Sequence, residues 1–392
     1  MSNSLNRRNW IKSSAVMAGG LALLSGTAEK LVAAPAAKKL TVLPEEAFLS
    51  EAQVAAQNVP DMKARLNANE NPFGPSPAAK KAIEDALADS FRYPFESLSV
   101  LSNKIADHEG VTSRNILLSS GTSPLLLAAA MHYSKDGKSV ISGETSYDDL
   151  PSKSPRFGGT WIKVPMTADF KLDLDAMEAK VDDKTGLVYI CNPNNPTATV
   201  VDVNKLKGFC ERVSKKTTVM VDEAYIDYLP NPDQVTMMGA VKAGQNVIVA
   251  RTFSKLYGFA GLRCGYFVAQ PDTIRALSAY TSQGMAISAT TAAAAVAAYQ
   301  ETAFLQDALK KTLESKEFLY ATLKKEGYDY IPSSANFVLF PIKMDGRQFS
   351  TEMSKRGVGI RTWKMNDKDY CRVSIGRMDE MQAFADAFKQ IS

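Results

Sequence analysis

The chain has 392 residues, of which 45% are hydrophobic and 22% charged, and its formal net charge at pH 7 is +4. These values are typical of a soluble globular protein with one large or two ordinary domains, and they argue against a nucleic-acid partner. Only two histidines occur, His108 and His132, and neither has metal-ligand spacing to a cysteine or a carboxylate pair. We therefore predict no metal site and no Ser-His-Asp triad.

The first 36 residues have the layout of a bacterial signal peptide. The segment from Asn6 to Lys12 contains two adjacent arginines, an aromatic residue, an aliphatic residue and a lysine, and an uncharged stretch rich in Ala, Gly and Leu follows. A small-residue cleavage site lies at Ala34 to Ala36, and a second candidate at Val32 to Ala34. The pattern resembles a twin-arginine signal, so we expect a periplasmic or otherwise exported protein. A frayed N-terminal helix or a membrane anchor is the alternative. The apolar stretch is short for a membrane span, so we expect no stable membrane span in the mature form.

Cleavage after residue 36 would delete four cations and one anion and lower the net charge from +4 to +1. A nearly neutral mature protein implies no polyanionic partner. The cysteines are widely spaced, so we expect small buried thiols and no disulfide framework. They are Cys191, Cys210, Cys264 and Cys371.

The segment that follows the signal peptide predicts short elements between turns. A helix is expected from Pro44 to Gln57, and irregular structure from Ala64 to Pro75, where turn-forming residues dominate. A second helix should run from Pro77 to about Leu87, because Ser76 is a good N-cap and proline is favoured at the first helical position.

The next predicted strand leads into a candidate phosphate site. A helix from Leu98 to His108 precedes a strand from Asn115 to Leu118. Gly121 and small hydroxylic residues follow, and a helix opens at Pro124. This order places backbone N–H groups at a helix N-terminus, where phosphate binds readily.

From Ser139 onward, strands and helices alternate, and the strands are strongly apolar. This pattern predicts a mostly parallel sheet covered by helices on both faces, with ligands at the carboxyl ends of the strands. The predicted strands are Ser139–Ser142, Gly159–Val164, Gly186–Cys191, Thr217–Val221 and Val247–Ala250, with a helix at Val203–Ser214. Tyr147, Asn195, Asp222, Tyr225 and Lys255 all follow such strands.

The C-terminal part predicts a smaller α+β module joined by a long helix from Thr302 to Glu326. Its predicted elements are a strand at Ser334–Phe340, a helix at Gly346–Arg356, strands at Val358–Thr362 and Tyr370–Ile375, and a helix at Asp379–Gln390. We expect a signal peptide at 1–36, an N-terminal arm with part of the small domain at 37–95, a large cofactor-binding domain at 96–300 and a C-terminal small domain at 301–392.

Lys255 comes directly after a buried strand, which is unusual because burying an ammonium group is costly unless it is paired or used chemically. Hydroxyls, glycine backbone and a guanidinium surround it in sequence, and these are the groups that a phosphate monoester needs. They are Thr252, Ser254, Gly258, Gly261, Arg263 and Gly265. A lysine beside a phosphate site indicates pyridoxal phosphate, whose aldehyde binds lysine covalently. A surface lysine on a glycine-rich loop is the alternative.

Four further side chains suit that cofactor. Asp222 could hold the pyridinium nitrogen in its protonated form, so that the ring accepts electrons. Tyr225 and Asn195 could donate to the phenolic oxygen, and Tyr147 could stack on the ring. A capping aspartate, a turn asparagine and core tyrosines are the structural alternatives.

Motifs of one enzyme family run from about residue 62 to the end of the chain. They are Leu66-Asn-Ala-Asn-Glu-Asn-Pro72, Tyr93-Pro94, Gly121-Thr-Ser123, Asn194-Asn-Pro-Thr197, Asp222-Glu-Ala-Tyr225, Ser254-Lys255, Gly261-Leu-Arg-Cys-Gly265, Ala335-Asn-Phe337, Arg361 and Arg372. With them the chain resembles the class I/II aminotransferases of fold type I, and it is most similar to the histidinol-phosphate aminotransferase group. The resemblance implies an α/β fold with a large domain, built on a mostly parallel sheet, and a smaller α+β domain.

The resemblance also implies roles for individual residues. Lys255 would bind the cofactor and move the α-proton, with Asp222 and Tyr225 beside it. The phosphate would be held by Gly121, Thr122, Ser123, Thr252, Ser254 and Arg263, and by Tyr93 of a neighbouring subunit in a homodimer. Arg372 would clamp the substrate α-carboxylate, with Asn69 and Asn336 lining the same mouth, and Arg361 would face a distal anionic group. For both arginines a surface ion pair is the alternative.

Two positions depart from the family pattern. Pro124 stands where relatives often carry an acidic residue, and Ala198 where many have glycine. Export is a larger departure, because histidine biosynthesis is cytoplasmic. The prediction is therefore an aminotransferase acting on an amino acid or related amine and a 2-oxo acid. A pyridoxal phosphate-dependent decarboxylase or racemase, or a cofactor-binding protein without turnover, remains open at this point.

Overall fold

The computed structural model describes residues 62–299 and 301–392. The expected signal peptide and the expected helix at Pro44–Gln57 lie outside these residues, so both stay predictions.

A seven-stranded sheet forms the centre of the described chain. A short strand, β1 (Ala64–Arg65), precedes this sheet in sequence and does not belong to it. The strands of the sheet are β2 (Ile116–Ser119), β3 (Ser139–Gly143), β4 (Thr160–Val164), β5 (Thr185–Cys191), β6 (Thr218–Asp222), β7 (Val247–Thr252) and β8 (Gly265–Val268). The strand order is β2-β8-β7-β6-β5-β3-β4, and β8 alone runs antiparallel to its neighbours. The predicted mostly parallel sheet is confirmed. Sequence analysis missed β8, because this strand has four residues and directly follows the glycine-rich motif.

Helices cover both faces of this sheet, and apolar clusters lie on each side. β5 and β6 are buried along their whole length, as expected for central strands of a covered parallel sheet. The α-helices of the described residues are α1 (Pro77–Ala86), α2 (Phe95–Glu109), α3 (Ser123–Tyr133), α4 (Leu174–Glu178), α5 (Val203–Val213), α6 (Pro232–Val235), α7 (Met238–Lys242), α8 (Pro271–Ser278), α9 (Ala289–Ala298), α10 (Thr302–Lys325), α11 (Gly346–Lys355) and α12 (Met378–Phe388). The last two pack against the smaller C-terminal strands instead. The Ser76 side chain accepts a hydrogen bond from the Ala79 N–H, as predicted for an N-cap.

The C-terminal elements form a smaller α+β layer with its own apolar cluster. The strands β9 (Phe337–Pro341), β11 (Arg361–Met365) and β12 (Lys368–Ser374) pair antiparallel in the order β11-β12-β9. The predicted single strand at Val358–Thr362 is divided. Its first part, β10 (Val358–Gly359), pairs parallel with β1, and its second part belongs to β11. The fold class is confirmed, whereas the domain boundaries stay predictions.

All four cysteines are free and buried, as expected from their spacing. Among residues 62–299 and 301–392, no helix combines the length and the apolar character that crossing a membrane requires. The same residues contain no group of three or more His, Cys, Asp or Glu side chains placed to hold a metal ion.

Candidate active site at the carboxyl ends of the strands

The parallel strands end at one edge of the sheet, and the predicted site residues follow these ends. Gly121 comes after β2, Tyr147 after β3 and Asn195 after β5; Asp222 closes β6, and Lys255 follows β7. Because β2, β3, β5, β6 and β7 run in the same direction, their carboxyl ends meet on one side. A covered parallel sheet therefore converts motifs that are far apart in sequence into one site.

Asp222 is a buried carboxylate, with 2% of the residue exposed. Its Oδ2 accepts a hydrogen bond of 2.7 Å from the Tyr189 hydroxyl, and its Oδ1 accepts one of 3.1 Å from the Ala224 N–H. Burial raises the pKa of Asp222 to about 6, while the two hydrogen bonds and the Lys255 charge oppose that rise. At neutral pH the group is thus an oriented carboxylate, suited to bind a cationic ring nitrogen.

Asn69 joins three parts of the chain at the centre of the site. Its carbonyl oxygen accepts a hydrogen bond of 3.3 Å from Lys255 Nζ, and its side-chain amide donates one of 3.0 Å to the Tyr225 hydroxyl. Lys255 Nζ also lies 5.3 Å from the centroid of the Tyr225 ring. Asn69 has a φ of 53°, and Ser374 both accepts from its backbone N–H and donates to its Oδ1, which holds this uncommon conformation.

Arg372 is 2% exposed, and its guanidinium group is held in one orientation. Nη1 donates a hydrogen bond of 2.6 Å to Asn195 Oδ1, and Nη2 donates one of 2.9 Å to the Asn67 carbonyl. Its Cζ lies 5.3 Å from the centroid of the Phe337 ring. A buried, pre-oriented guanidinium with a fixed fork is suited to bidentate recognition of a carboxylate.

Asn336 connects this arginine region to Asn69. Its Nδ2 donates to the carbonyl oxygens of Asn69 and Glu70 at 3.1 and 3.2 Å. Its Oδ1 is buried and has no hydrogen-bond partner among the described residues. A buried amide oxygen without a partner marks a position where a donor group of a ligand would be accepted.

The predicted phosphate residues also meet. Arg263 Nη1 donates to Ser254 Oγ at 3.1 Å, and the Ser254 N–H donates to Thr252 Oγ1 at the same distance. Gly121 has a φ of 82°, and a Cβ built on it would lie 2.2 Å from Arg263 Nη2. Only glycine leaves room for the guanidinium here. Thr122 and Ser123 open α3, so a cation, hydroxyls and a helix N-terminus converge.

These residues fit pyridoxal phosphate. The Gly121–Arg263 cradle and its hydroxyls match a phosphate, Asp222 matches a ring nitrogen, and Lys255 lies beside Tyr225 and the Asn69 carbonyl. When bound, the cofactor supplies an aldehyde for the substrate amine and a ring that accepts electrons from the α-carbon. With the cofactor in place, Lys255 would be the group to move the α-proton, Asp222 would hold the ring nitrogen charged and Arg372 would orient the carboxylate.

Three further predicted site residues lie outside the hydrogen bonds described above. Tyr93 is 74% exposed on the loop before α2, and its ring contacts Phe95. Tyr147 is half-buried against the apolar cluster that contains Tyr189. Arg361 is half-buried on β11, with its Cζ 5.0 Å from the centroid of the Trp363 ring. Their roles toward the cofactor or substrate stay predictions.

Sequence reasoning missed several residues that support the site. Tyr189 was predicted only as part of an apolar strand, although a single tyrosine hydroxyl within aliphatic residues needs a buried partner and could have been noticed. Ser374 and Asn67 contact site residues 305 positions away in the chain; Asn67 lies in the Leu66–Pro72 motif, but no local pattern gave either residue a role. Trp363 lies two residues after Arg361, and its contacts depend on how β11 pairs with β12.

Comparison with known proteins supports the cofactor that these residues fit. Residues 61–388 match the family described as aminotransferase class I and II. The chain is 36% identical to the histidinol-phosphate aminotransferase of Moorella thermoacetica, over 83% of this chain and 85% of that protein. It is 37% identical to the aromatic amino acid aminotransferase of Mycolicibacterium vanbaalenii, over 82% of this chain and 90% of that protein. A crystal structure of histidinol-phosphate aminotransferase from Sinorhizobium meliloti in complex with pyridoxal-5'-phosphate superposes with a TM-score of 0.79 at 26% identity, covering 91% of this chain and 100% of that one.

Proposed function

The chain belongs to the class I and II aminotransferases, and we propose that it is an exported member acting on α-amino acids. It is a pyridoxal phosphate-dependent transferase that moves an amino group between an amino acid or related amine and a 2-oxo acid. Amino transfer, the leading prediction from the sequence, is thereby confirmed.

The observation that carries the proposed donor class is the orientation of Arg372. Its guanidinium is buried and held by Asn195 and Asn67, so its orientation beside the other site residues is fixed. Such a group favours donors with an α-carboxylate over amines without one. The relatives are named for histidinol phosphate and for aromatic amino acids. Because histidine biosynthesis is cytoplasmic, export favours an amino acid donor for this protein.

Export rests on residues 1–36, which carry the arginine pair, the uncharged stretch and the small-residue cleavage sites. A reporter protein fused to these residues should reach the periplasm of a bacterium with a working twin-arginine pathway. Replacing the pair, Arg7→Lys with Arg8→Lys, should retain the reporter in the cytoplasm. Equal export of both fusions would contradict the proposed signal.

A homodimer is the second part of the proposal. Tyr93 and its neighbours Phe91 and Phe95 are 74%, 76% and 65% exposed, and this concentration of exposed aromatic rings favours an interface. In the arrangement implied by the family, Tyr93 would reach the phosphate of the partner's cofactor. Sedimentation equilibrium should give twice the chain mass, and a monomer at micromolar concentration would contradict it.

The direct test is a single-turnover absorbance scan of the purified mature protein mixed in turn with a panel of amino acids. We expect some of them to convert the yellow cofactor to its amino form, which ranks the donors. Lys255→Ala should bind the cofactor without converting it. A bound yellow cofactor that no amino acid converts would contradict the proposed donor class.

A further inference from the structure

Two arginine side chains lie next to each other in the three-stranded sheet. Arg361 on β11 and Arg372 on β12 are direct partners across the antiparallel pair. Directly opposite residues point to the same face, so these like charges repel each other. Arg372 is 2% exposed, and salt and water screen a buried charge much less than a surface one. The fold therefore has to compensate for this repulsion locally.

Trp363 contacts both guanidinium groups. The Arg372 Cζ lies 4.6 Å from the centroid of its ring, and the Arg361 Cζ lies 5.0 Å from it. Trp363 comes two residues after Arg361 on the same strand, so the period of two places both side chains on one face. Both distances lie within the range of about 6 Å over which a ring attracts a cation. One indole therefore contacts and stabilises both cations.

The influence of Arg361 on a neighbouring carboxyl shows where this arginine lies relative to the site. Burial raises the pKa of Asp148, and the charges of Arg361 and Lys163 oppose that rise, so Arg361 is close enough to influence this carboxyl. Asp148 directly follows Tyr147 in the segment after β3. Arg361 thus lies near the segment that follows β3 at the carboxyl ends of the large sheet, and Arg372 contacts Asn195 at the same ends.

We propose that Trp363 is a positioning residue that spaces the two guanidinium groups for donors with two anionic groups. This inference rests on the proposed function, in which Arg372 binds the α-carboxylate of the donor. The second anion, a carboxylate or a phosphate on the donor side chain, meets Arg361. Trp363 does not touch the reacting atoms; it acts by keeping Arg361 from moving away from Arg372.

L-glutamate and L-glutamine are the sharpest pair of probes, since they differ by one charge and are close in shape. The wild-type enzyme should prefer glutamate in kcat/KM. In Trp363→Leu this preference should fall about tenfold, the scale of one partly desolvated cation–ring contact, through a higher KM for glutamate with kcat largely kept. Trp363→Phe keeps a ring and should restore most of the preference. O-phospho-L-serine carries a side-chain phosphate in place of the carboxylate of glutamate. Comparing kcat/KM for these two donors shows which of the two anions Arg361 accepts better.

Tyr330→Leu is the matched control. Tyr330 is half-buried, stacks on Tyr320 at 4.1 Å and has Lys324 Nζ at 5.9 Å from its ring, but none of these residues belongs to the site. This variant should leave the preference for glutamate unchanged. An equal loss with glutamate and glutamine in Trp363→Leu would overturn the inference, as would a wild-type enzyme that does not distinguish either anionic donor from glutamine.

A binding measurement keeps the test independent of turnover and of the stability of Trp363→Leu. The chain has three tryptophans, one of them in residues 1–36, so the mature protein contains Trp161 and Trp363 alone. In a Trp161→Phe variant, tryptophan fluorescence reports on Trp363. Glutamate should change it at lower concentration than glutamine does, and identical titrations would overturn the inference. If that titration behaves as expected while no amino acid is transaminated, the proposed amino transfer fails, whereas recognition of the second anion beside Trp363 is supported.

Discussion

Tyr189 donates a hydrogen bond of 2.7 Å to Asp222, and both residues are buried. The tyrosine comes from β5 and the aspartate from the end of β6, which are neighbouring parallel strands. Asp222 is therefore held by two donors, this hydroxyl and the Ala224 N–H, and its orientation is set before any cofactor binds. A residue of the sheet core thus orients the carboxylate that we predict to meet the ring nitrogen of the cofactor.

Removing that hydroxyl should weaken cofactor binding. Tyr189→Phe takes away a bond that favours the ionised form of Asp222, so the pKa of Asp222 should rise further. We expect affinity of the apoprotein for pyridoxal phosphate to fall by about three- to tenfold, the scale of one hydrogen bond. Fluorescence titration measures this. Tyr328→Phe is the control, because Tyr328 lies in the apolar cluster of the C-terminal layer. This variant should bind pyridoxal phosphate with the affinity of the wild type.

Cofactor binding should also depend on pH. The pKa of Asp222 is about 6 in the folded apoprotein, and the ionised carboxylate is the form that binds a ring cation. Below pH 6 binding has to remove a proton, so affinity should fall by up to about tenfold per pH unit. In Asp222→Asn the fall in affinity that is due to protonation of Asp222 should be absent. This distinguishes it from any pH dependence that is due to titration of the cofactor phosphate. A profile shared by both proteins would refute the assignment.

Ionisation of Asp222 also affects the stability of the apoprotein, but in the opposite direction: it favours cofactor binding and disfavours the folded state. A carboxyl whose pKa is raised on folding binds its proton more tightly in the folded state than in the unfolded chain. The contribution of Asp222 is thus most favourable below about pH 4 and is lost as the pH rises through about 6. Urea unfolding of apo wild type and of Asp222→Asn, compared at pH 5 and pH 7.5, should show this difference.

A single methyl group should disrupt the phosphate site. In Gly121→Ala the added Cβ would lie 2.2 Å from Arg263 Nη2, so the guanidinium would have to leave Ser254. Affinity for pyridoxal phosphate should fall by about ten- to a hundredfold, the scale of a charge-assisted hydrogen bond. Gly137→Ala is the control, because Gly137 has a similar φ of 75° but nothing within 4 Å of its Cβ. Equal losses in both variants would show that backbone strain alone is responsible.

The ion pair beneath the site should matter strongly for stability. Arg251 Nε lies 2.8 Å from Glu223 Oε2, and their side chains are only 12% and 1% exposed. Arg251→Met leaves Glu223 buried without its cation, so the free energy of unfolding should fall by about 3–5 kcal/mol. The more exposed pair Arg212–Glu178, with side chains 53% and 22% exposed, is the control, and Arg212→Met should cost below about 1 kcal/mol. Urea denaturation measures both, and similar losses would contradict the buried pair.

Arg372→Ala should separate donors by their carboxylate. Activity with α-amino acids should fall at least about a hundredfold, as expected when one partner of a buried charged contact is lost. Amines without a carboxylate should be affected much less. Steady-state kinetics with an amino acid and its decarboxylated analogue measures the difference, and equal loss with both would contradict the role of Arg372.

Local chemistry made a large part of this protein predictable. Alternating apolar strands and helices indicate a covered parallel sheet, and Gly121, Asp222 and Lys255 each follow a strand within a few residues, so their positions at one edge follow from strand direction. The N-cap at Ser76 was also readable, because capping is decided within four residues. These features depend on short-range sequence, which is why the cofactor and the family could be inferred from it.

The tertiary structure alone decided how the site is held together. The hydrogen bonds from Asn69 to Tyr225 and from Arg372 to Asn195 join residues 156 and 177 positions apart, and no periodicity encodes such pairs. The division of Val358–Thr362 between two sheets and the neighbouring positions of Arg361, Trp363 and Arg372 depend on strand pairing. Pairing register is set by the burial of whole faces, a property of the packed chain, so the sequence determined the chemistry and the packing determined its geometry.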